Sequence, residues 1–381
     1  MFALFRARQF TEAEGLRHRL PTGSAASLEQ HVETFLQGPQ SEGGPPVLVG
    51  ALPFDVRAPA YLYQPEEFRR GSGWGMLAGP IEACARAFWA PFQIAPEPDP
   101  ESYAAMVRRA LDMIGCNRLT KVVLSRSLCI RAAVPVDPLQ VAARLARDPD
   151  ATTFMLPLPP ETCGDGPSTL VGATPELLVS RAGTQVVSHP LAGSARRRPD
   201  RAEDEAAAQA LLHSDKDRRE HMFVVEAILD ILAPHCHQLG APAGTTLYST
   251  ATMWHLGTRI EGVLRDDAPS AAGLAALLHP TPAVGGSPRC EALEAIRTLE
   301  PRDRGFYAGA VGWSDVRGDG EWHVALRCAE ICGARLRLQA GAGIVAGSDP
   351  EAEVAETRAK FQAMLRAIEM EQAEDFLETA L

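Results

Sequence analysis

Four carboxylates stand in two pairs of matched spacing. Glu353 and Glu356 are three residues apart, with Lys360 four beyond Glu356, and Asp217 and Glu220 are also three apart. On a helix such residues share a face. Two helices of this kind, turned toward each other, offer an all-oxygen donor set suited to a hard divalent cation such as Mg2+ that bridges to an anionic ligand. The same residues also suit solvated surfaces, since Lys216, Arg218 and Arg219 flank the second pair and can salt-bridge it. Two further residues suit proton transfer. Lys121 opens an otherwise apolar run, Thr120-Lys121-Val122-Val123. Burial would lower its pKa from ~10.4 toward neutrality and make it a usable base, whereas at a strand edge it would be solvated. Glu176, in Gly172-Ala173-Thr174-Pro175-Glu176-Leu177-Leu178, stands between a turn and an apolar strand. Burial would raise its pKa and keep it protonated as an acid, and a capping carboxylate is the plainer alternative. Arg327, within the apolar run 324–329, needs an anion, from the protein or from a substrate. His255 and Thr281 are polar residues in apolar settings, which structural roles would also explain.

These residues need particular elements to carry them. Ser348-Asp349-Pro350-Glu351 opens the helix of Glu353 and Glu356. Either Ser348 or Asp349 can cap it, Pro350 suits its first turn, and Ser348 with Glu351 fits a capping box. Met364, Leu365 and Ile368 face its core side. Ahead of it, residues 335–339 alternate as a half-buried strand does, and Ala340-Gly341-Ala342-Gly343 reads as a glycine-rich turn with amides open to an anion. The other pair begins a helix over 217–232, with Val224, Val225, Ile228 and Ile231 inward. Lys121 begins a strand over 121–130. Shorter strands are expected at 48–52, 154–156, 169–171, 308–313 and 322–331, with a hairpin, 176–180 and 185–187, around Gly183. Helices are expected at 101–114, 202–212, 274–278 and 291–299.

The chain has 381 residues, 46% of them hydrophobic, enough for a sizeable core. Its net charge of -11 and the lack of basic runs interleaved with aromatics argue against nucleic-acid binding. Eight cysteines without regular spacing read as buried free thiols, in keeping with a reducing cytosol. Met1–Phe10 lacks the apolar core and cleavage site of a secretory signal, and no run of about 18 apolar residues predicts a membrane span. No Ser-His-Asp order, P-loop or dinucleotide fingerprint occurs. The proline-rich residues 95–100 set a variable N-terminal part, 1–95, against a core of 100–370, within one domain of 1–381.

Nine ordered segments resemble the chorismate-utilising enzymes: KVVLSR (121–126), GATPELL (172–178), PLAGS (190–194), SDKDRREH (214–221), WHLGT (254–258), LHPTPAVGG (278–286), EPRDRGFYAGAVGW (300–313), GDGEWHVALRCAE (318–330) and AGAGIV with SDPEAEVAET (340–357). Within that family the details are most similar to isochorismate synthases of siderophore and menaquinone pathways, especially those feeding 2,3-dihydroxybenzoate. The resemblance implies an α+β fold of two stacked, mainly antiparallel sheets flanked by helices, like anthranilate synthase component I. It implies that Lys121 activates a water that attacks C2 of chorismate and that Glu176 protonates the departing C4 hydroxyl. It implies Mg2+ on Glu220 and Glu356, with Asp217 and Glu353 in the outer shell; the first of these is a glutamate in the family. It places Arg327 and the amides near Gly341 around the enolpyruvyl carboxylate, and Ala192, Gly193, Ser194, His255, Thr281, Tyr307 and Lys360 in the substrate pocket.

Sister activities leave different marks. Aminodeoxychorismate synthases are typified by a lysine where this chain has Ala192, and anthranilate synthases by an Asp-Leu-Ala-Arg-Asn-Asp run absent after this metal helix. With no glutamine-amidotransferase portion either, the expected nucleophile is water. A salicylate synthase, which goes on to eliminate pyruvate, shares the general motifs, and Gly312-Trp313-Ser314-Asp315 with Gly318-Asp319-Gly320-Glu321-Trp322 favours the simple isomerase. Ser314 replaces a cysteine common in relatives. A non-catalytic chorismate-binding paralogue would have lost Lys121 or Glu176, and both are present. The family tendency is a cytoplasmic monomer.

Overall fold

Alternation along the strands decides which layer each side chain joins. In the computed structural model, which describes residues 1–21, 27–38, 43–79, 93–159 and 166–367, Phe154 and Leu156 point into a core shared by two sheets while Met155 between them points out beneath helices. Among the described residues, ten strands form the first sheet. Across it lie Gly286–Ser287, Lys121–Arg131, Arg335–Val345, Cys328–Cys332, Ser168–Thr174, Thr152–Pro157, Phe2–Arg6, Gln9–Glu14 and Glu67–Ser72, and Gln93–Glu97 pairs further along Lys121–Arg131. Nine form the second: Cys236–Gly240, Ile260–Leu264, Gln185–His189, Leu177–Ala182, Gly320–Val324, Ala310–Asp315, Val47–Leu52, Tyr61–Gln64 and His18–Arg19. Leu191–Arg196, Met253–Thr258 and Thr245–Ser249 make a small third sheet. Every pairing is antiparallel. The layered α+β architecture of the sequence reading is the one observed.

Helices cover the outside. Pro350–Ala367 packs on Arg335–Val345 and on the helix Pro100–Gly115, and Asp215–Leu232 packs on the small sheet. Caps fix their starts: the Asp99 carboxylate accepts from Ser102 N–H, and the Ser214 hydroxyl from Asp217 N–H. Asp349 accepts from Ala352 N–H, so it caps the last helix, and the Ser348 hydroxyl bonds Glu353 instead of closing a box with Glu351. Ile368 lies outside the described residues.

Three expectations change. The glycine run 340–343 is no turn; it continues one strand to Val345, with Gly341 opposite Ser125 and Gly343 opposite Val123. Small residues there admit close neighbours, and the glycines were misread as punctuation. The expected strand 322–331 is two strands. Ala325 still bonds Gly309 in the second sheet, whereas the Arg327 carbonyl already accepts from Ala173 in the first. The chain crosses between sheets there, and Arg327 takes φ +48°. The cysteines are not uniformly buried thiols: Cys116 and Cys290 are exposed, and Cys332 is in a disulfide. Residues 1–95 supply strands to both large sheets.

Candidate active site

The Asp215–Leu232 and Pro350–Ala367 helices, the 340–343 strand segment and the sheet crossing meet around one cleft. Its walls include Glu176, Ala192, Gly193, Ser194, Asp217, Glu220, His255, Tyr307, Arg327, Gly341, Glu356 and Lys360. Three expected residues stand behind this wall. Lys121 is fully buried, with Nζ 2.9 Å from Glu220 Oε1. Glu353 is buried and takes Lys216 Nζ at 3.3 Å. Thr281 is buried, its hydroxyl without a partner among the described residues, while its carbonyl holds the Val284 and Gly285 amides of a turn that does reach the cleft.

The carboxylates are countered by lysines. Lys360 Nζ lies 2.7 Å from Glu356 Oε1 and donates to the Gly341 carbonyl at 2.8 Å, and the Ser194 hydroxyl donates to Glu356 at 3.3 Å. Burial pushes the Glu356 carboxyl up, but Lys360 and Lys216 outweigh it and hold the acid below its usual value. Glu353 goes the other way, raised by burial and then by Glu356. Asp217 is raised by burial, and Glu220 and Glu356 add to the rise. Gly193, at φ +74°, brings the backbone against Asp217; a Cβ there would sit 3.0 Å from Asp217 Cβ.

Glu176 is 2% exposed, and burial raises its carboxyl to about 8 against the opposing pull of Lys121, the Leu191 amide and Lys360. Arg327 makes no ion pair among the described residues. Its guanidinium donates instead to His255 Nε2, and burial lowers its own pKa to about 10. Burial and the Arg327 charge keep His255 neutral, and its ring also bonds the Gly193 backbone. The Gly341 amide, expected to face an anion, donates to the Tyr307 hydroxyl.

As a cation site the donor set is chemically suitable. It is oxygen-only and drawn from two helices, and Asp217 is raised partly by two neighbouring carboxylates, a crowding that a cation relieves. No three acidic or imidazole groups among the described residues already converge as a cage, because lysines occupy the charges.

The model of the family described as "Chorismate binding enzyme" matches residues 86–369. The chain belongs to this family of chorismate-binding enzymes. It is similar to the isochorismate synthase DhbC of Bacillus subtilis, 46% identical over 338 residues, which cover 88% of this chain and 84% of that one. Among solved structures it is similar to DhbC from Bacillus anthracis, described as a 2,3-dihydroxybenzoate-specific isochorismate synthase, with a TM-score of 0.89, 41% identity and 96% of each chain covered. Anthranilate synthase component I from Streptococcus pneumoniae shares the fold, with a TM-score of 0.72 at 21% identity over 94% of this chain and 92% of that one.

For a chorismate-binding enzyme, the residue-by-residue reading missed part of the wall. Lys216, Arg304 and Gln339 line the cleft too. Lys216 was read as surface charge. Glu300 and Arg304 have the i, i+4 spacing of an exposed helical pair, yet they are 4% and 2% exposed in their side chains. The motif around them was the signal available; its burial was not.

Proposed function

We propose that the chain is an isochorismate synthase. It adds water at C2 of chorismate as the C4 hydroxyl leaves, and the ring double bonds shift between the two carbons. The observation that carries this reading is Glu176, a buried carboxyl held protonated near neutral pH on the wall of a cleft that also presents Arg327 without a protein anion. The names and coverage of the relatives support it, and the likeness to DhbC favours a product destined for 2,3-dihydroxybenzoate.

In this reading Lys121 takes a proton from the attacking water and Glu176 gives one to the departing hydroxyl. Each is commonly worth ~10²–10⁴-fold. Arg327, steered by His255, takes the enolpyruvyl carboxylate. Tyr307, Lys360, Gly341 and the 192–194 backbone shape the pocket, and Thr281 supports it through the 281–285 turn. Glu220 and Glu356 would hold Mg2+, with Asp217 and Glu353 outside them. Such a cation would supply positive charge at the ring carboxylate of the substrate. The reading carries with it a cytoplasmic monomer that uses water and needs no ammonia-supplying subunit.

The test is chromatography of products from chorismate with and without Mg2+. Isochorismate at equilibrium with chorismate, without pyruvate, is the expected result. Stoichiometric salicylate and pyruvate would make the chain a salicylate synthase, and no Mg2+-dependent product would make it a binding paralogue.

A further inference from the structure

The strand that carries Lys121 has a gap along one edge. Gly286–Ser287 pairs with it at Lys121 and Val122, and Gln93–Glu97 pairs from Ser127 onward. Among the described residues no strand lies alongside between them, although this is where Val123 enters the cleft wall. Unpaired buried main-chain groups are costly, so something must take the place of a strand. The Gly285 carbonyl accepts from Val123 N–H at 2.9 Å. Two side chains supply further partners. Arg304 Nη2 donates to the Val123 carbonyl at 2.7 Å, and Glu300 Oε1 accepts from Ser125 N–H at 2.7 Å.

Those two side chains are locked together. Arg304 Nε lies 2.9 Å from Glu300 Oε2, and Nη2 lies 2.5 Å from Oε1, with both side chains buried. The guanidinium also lies over the Phe54 ring, 4.1 Å from its centroid. Its third nitrogen, Nη1, donates to the Val284 carbonyl at 2.8 Å. Arg304 therefore spans two separate pieces of the cleft wall, the Val123 strand and the Val284 turn. Its own carbonyl accepts from Gln339 Nε2 at 3.3 Å and from Tyr307 N–H at 3.1 Å, which ties in two more wall residues. A planar fork with fixed directions can set such a spacing, and an ammonium cannot.

We propose that Arg304, held by Glu300, is a positioning residue for the reaction: it sets the separation between the strand end that presents Lys121 and the Val284 wall. Each of the three guanidinium nitrogens of Arg304 donates to the protein, so it acts through these neighbours. The anions of the substrate keep their own anchors in Arg327, Lys360 and the cation that Glu220 and Glu356 would hold. Changing Arg304 thus alters the alignment of reacting groups more than binding.

This inference rests on the isochorismate synthase reading, so isochorismate formation by the unaltered enzyme is measured beside each variant. The primary variant is Arg304→Lys, which keeps the charge and loses the fork. A 1 Å misplacement of reacting groups costs about 10²-fold, so kcat is expected to fall about 10²-fold with the chorismate KM and the Mg2+ activation constant within about threefold. Glu300→Gln keeps an acceptor for Ser125 N–H and is expected to show a smaller loss, about tenfold, with the same split. Circular dichroism fixes the folded fraction to which each rate is normalised. An unchanged kcat per folded molecule, even with a lowered melting temperature, would overturn the proposal and leave a structural pair. A loss carried by KM would overturn it too and make Arg304 a binding residue. If neither variant folds, the pair is a folding element and the assignment falls. An unaltered enzyme that makes no isochorismate would defeat the underlying reading first, and this proposal with it.

Discussion

Lys121 and Glu220 neutralise each other at 2.9 Å, and removing either changes what the other can do. Lys121→Ala takes away the proposed base from a fully buried position at the end of a long strand, where the other side chains keep their packing. Turnover is expected to drop by at least ~10²-fold with the circular dichroism spectrum unchanged; near-normal turnover would remove Lys121 from the mechanism. Glu176 gives a pH dependence with a definite sign. Burial raises its carboxyl to about 8, so the proton it must donate is present below that value and lost above it. A profile of kcat from pH 6 to 10 is expected to fall about tenfold per unit above about pH 8, and Glu176→Gln to abolish that limb along with most of the activity. A limb that survives in the glutamine variant belongs to another group. The same shift acts on stability. The folded pKa stands above the ordinary value of 4.5, so this contribution is fully present below about 4.5 and is lost as pH rises through about 8.

Among the elements, those with a clean hydrophobic period were legible in the sequence. The 217–232 and 101–114 helices and the 121–130 strand appear within one or two residues of their expected bounds, because capping residues and apolar spacing are local signals. The crossing at 325–327 was not legible, since it lies within one apolar run continuous with the strands on either side and only tertiary pairing separates them. The glycine run misled for a related reason: glycine marks a turn in isolation but also marks close approach inside a sheet. Gly343 is such a case. A Cβ on it would lie 2.6 Å from Glu220 Oε1 and 3.3 Å from Lys121 Cε. The clashing atom is the far end of a flexible side chain, so Gly343→Ala should cost little stability, with the melting temperature shifted by only about 2–4 °C or less. It should nevertheless displace Glu220, lowering activity and raising the Mg2+ concentration needed for half-maximal rate. An unaltered Mg2+ activation curve would show that Glu220 has no part in the metal site.

At the level of the whole molecule, strands from residues 2–19 and 47–72 are structural members of both large sheets. Phe2 and Leu4 stand in the first sheet, Leu48, Val49, Leu62 and Tyr63 in the second, and all are buried in the shared core. Each such side chain is worth about 1.5–3 kcal/mol of burial, so losing all six exceeds much of the ~5–15 kcal/mol that holds a typical domain folded. A chain shortened to begin at residue 98 is therefore expected to lack a cooperative thermal transition by calorimetry, although it keeps every proposed site residue. A sharp transition and retained turnover would show that the N-terminal strands are dispensable. The likeness carried by residues 100–370 gave no sign of this dependence, because strand pairing between distant segments leaves no local pattern. The passage of the chain from one sheet to the other has a mechanical consequence. Arg327 stands in the crossing, its carbonyl held by Ala173 of the first sheet and its guanidinium by His255 of the small sheet, so an anion in its grip would tie those two layers together. Slippage between the layers would loosen that grip before any strand melts, and heat would dull the enzyme's affinity before it unfolds the protein.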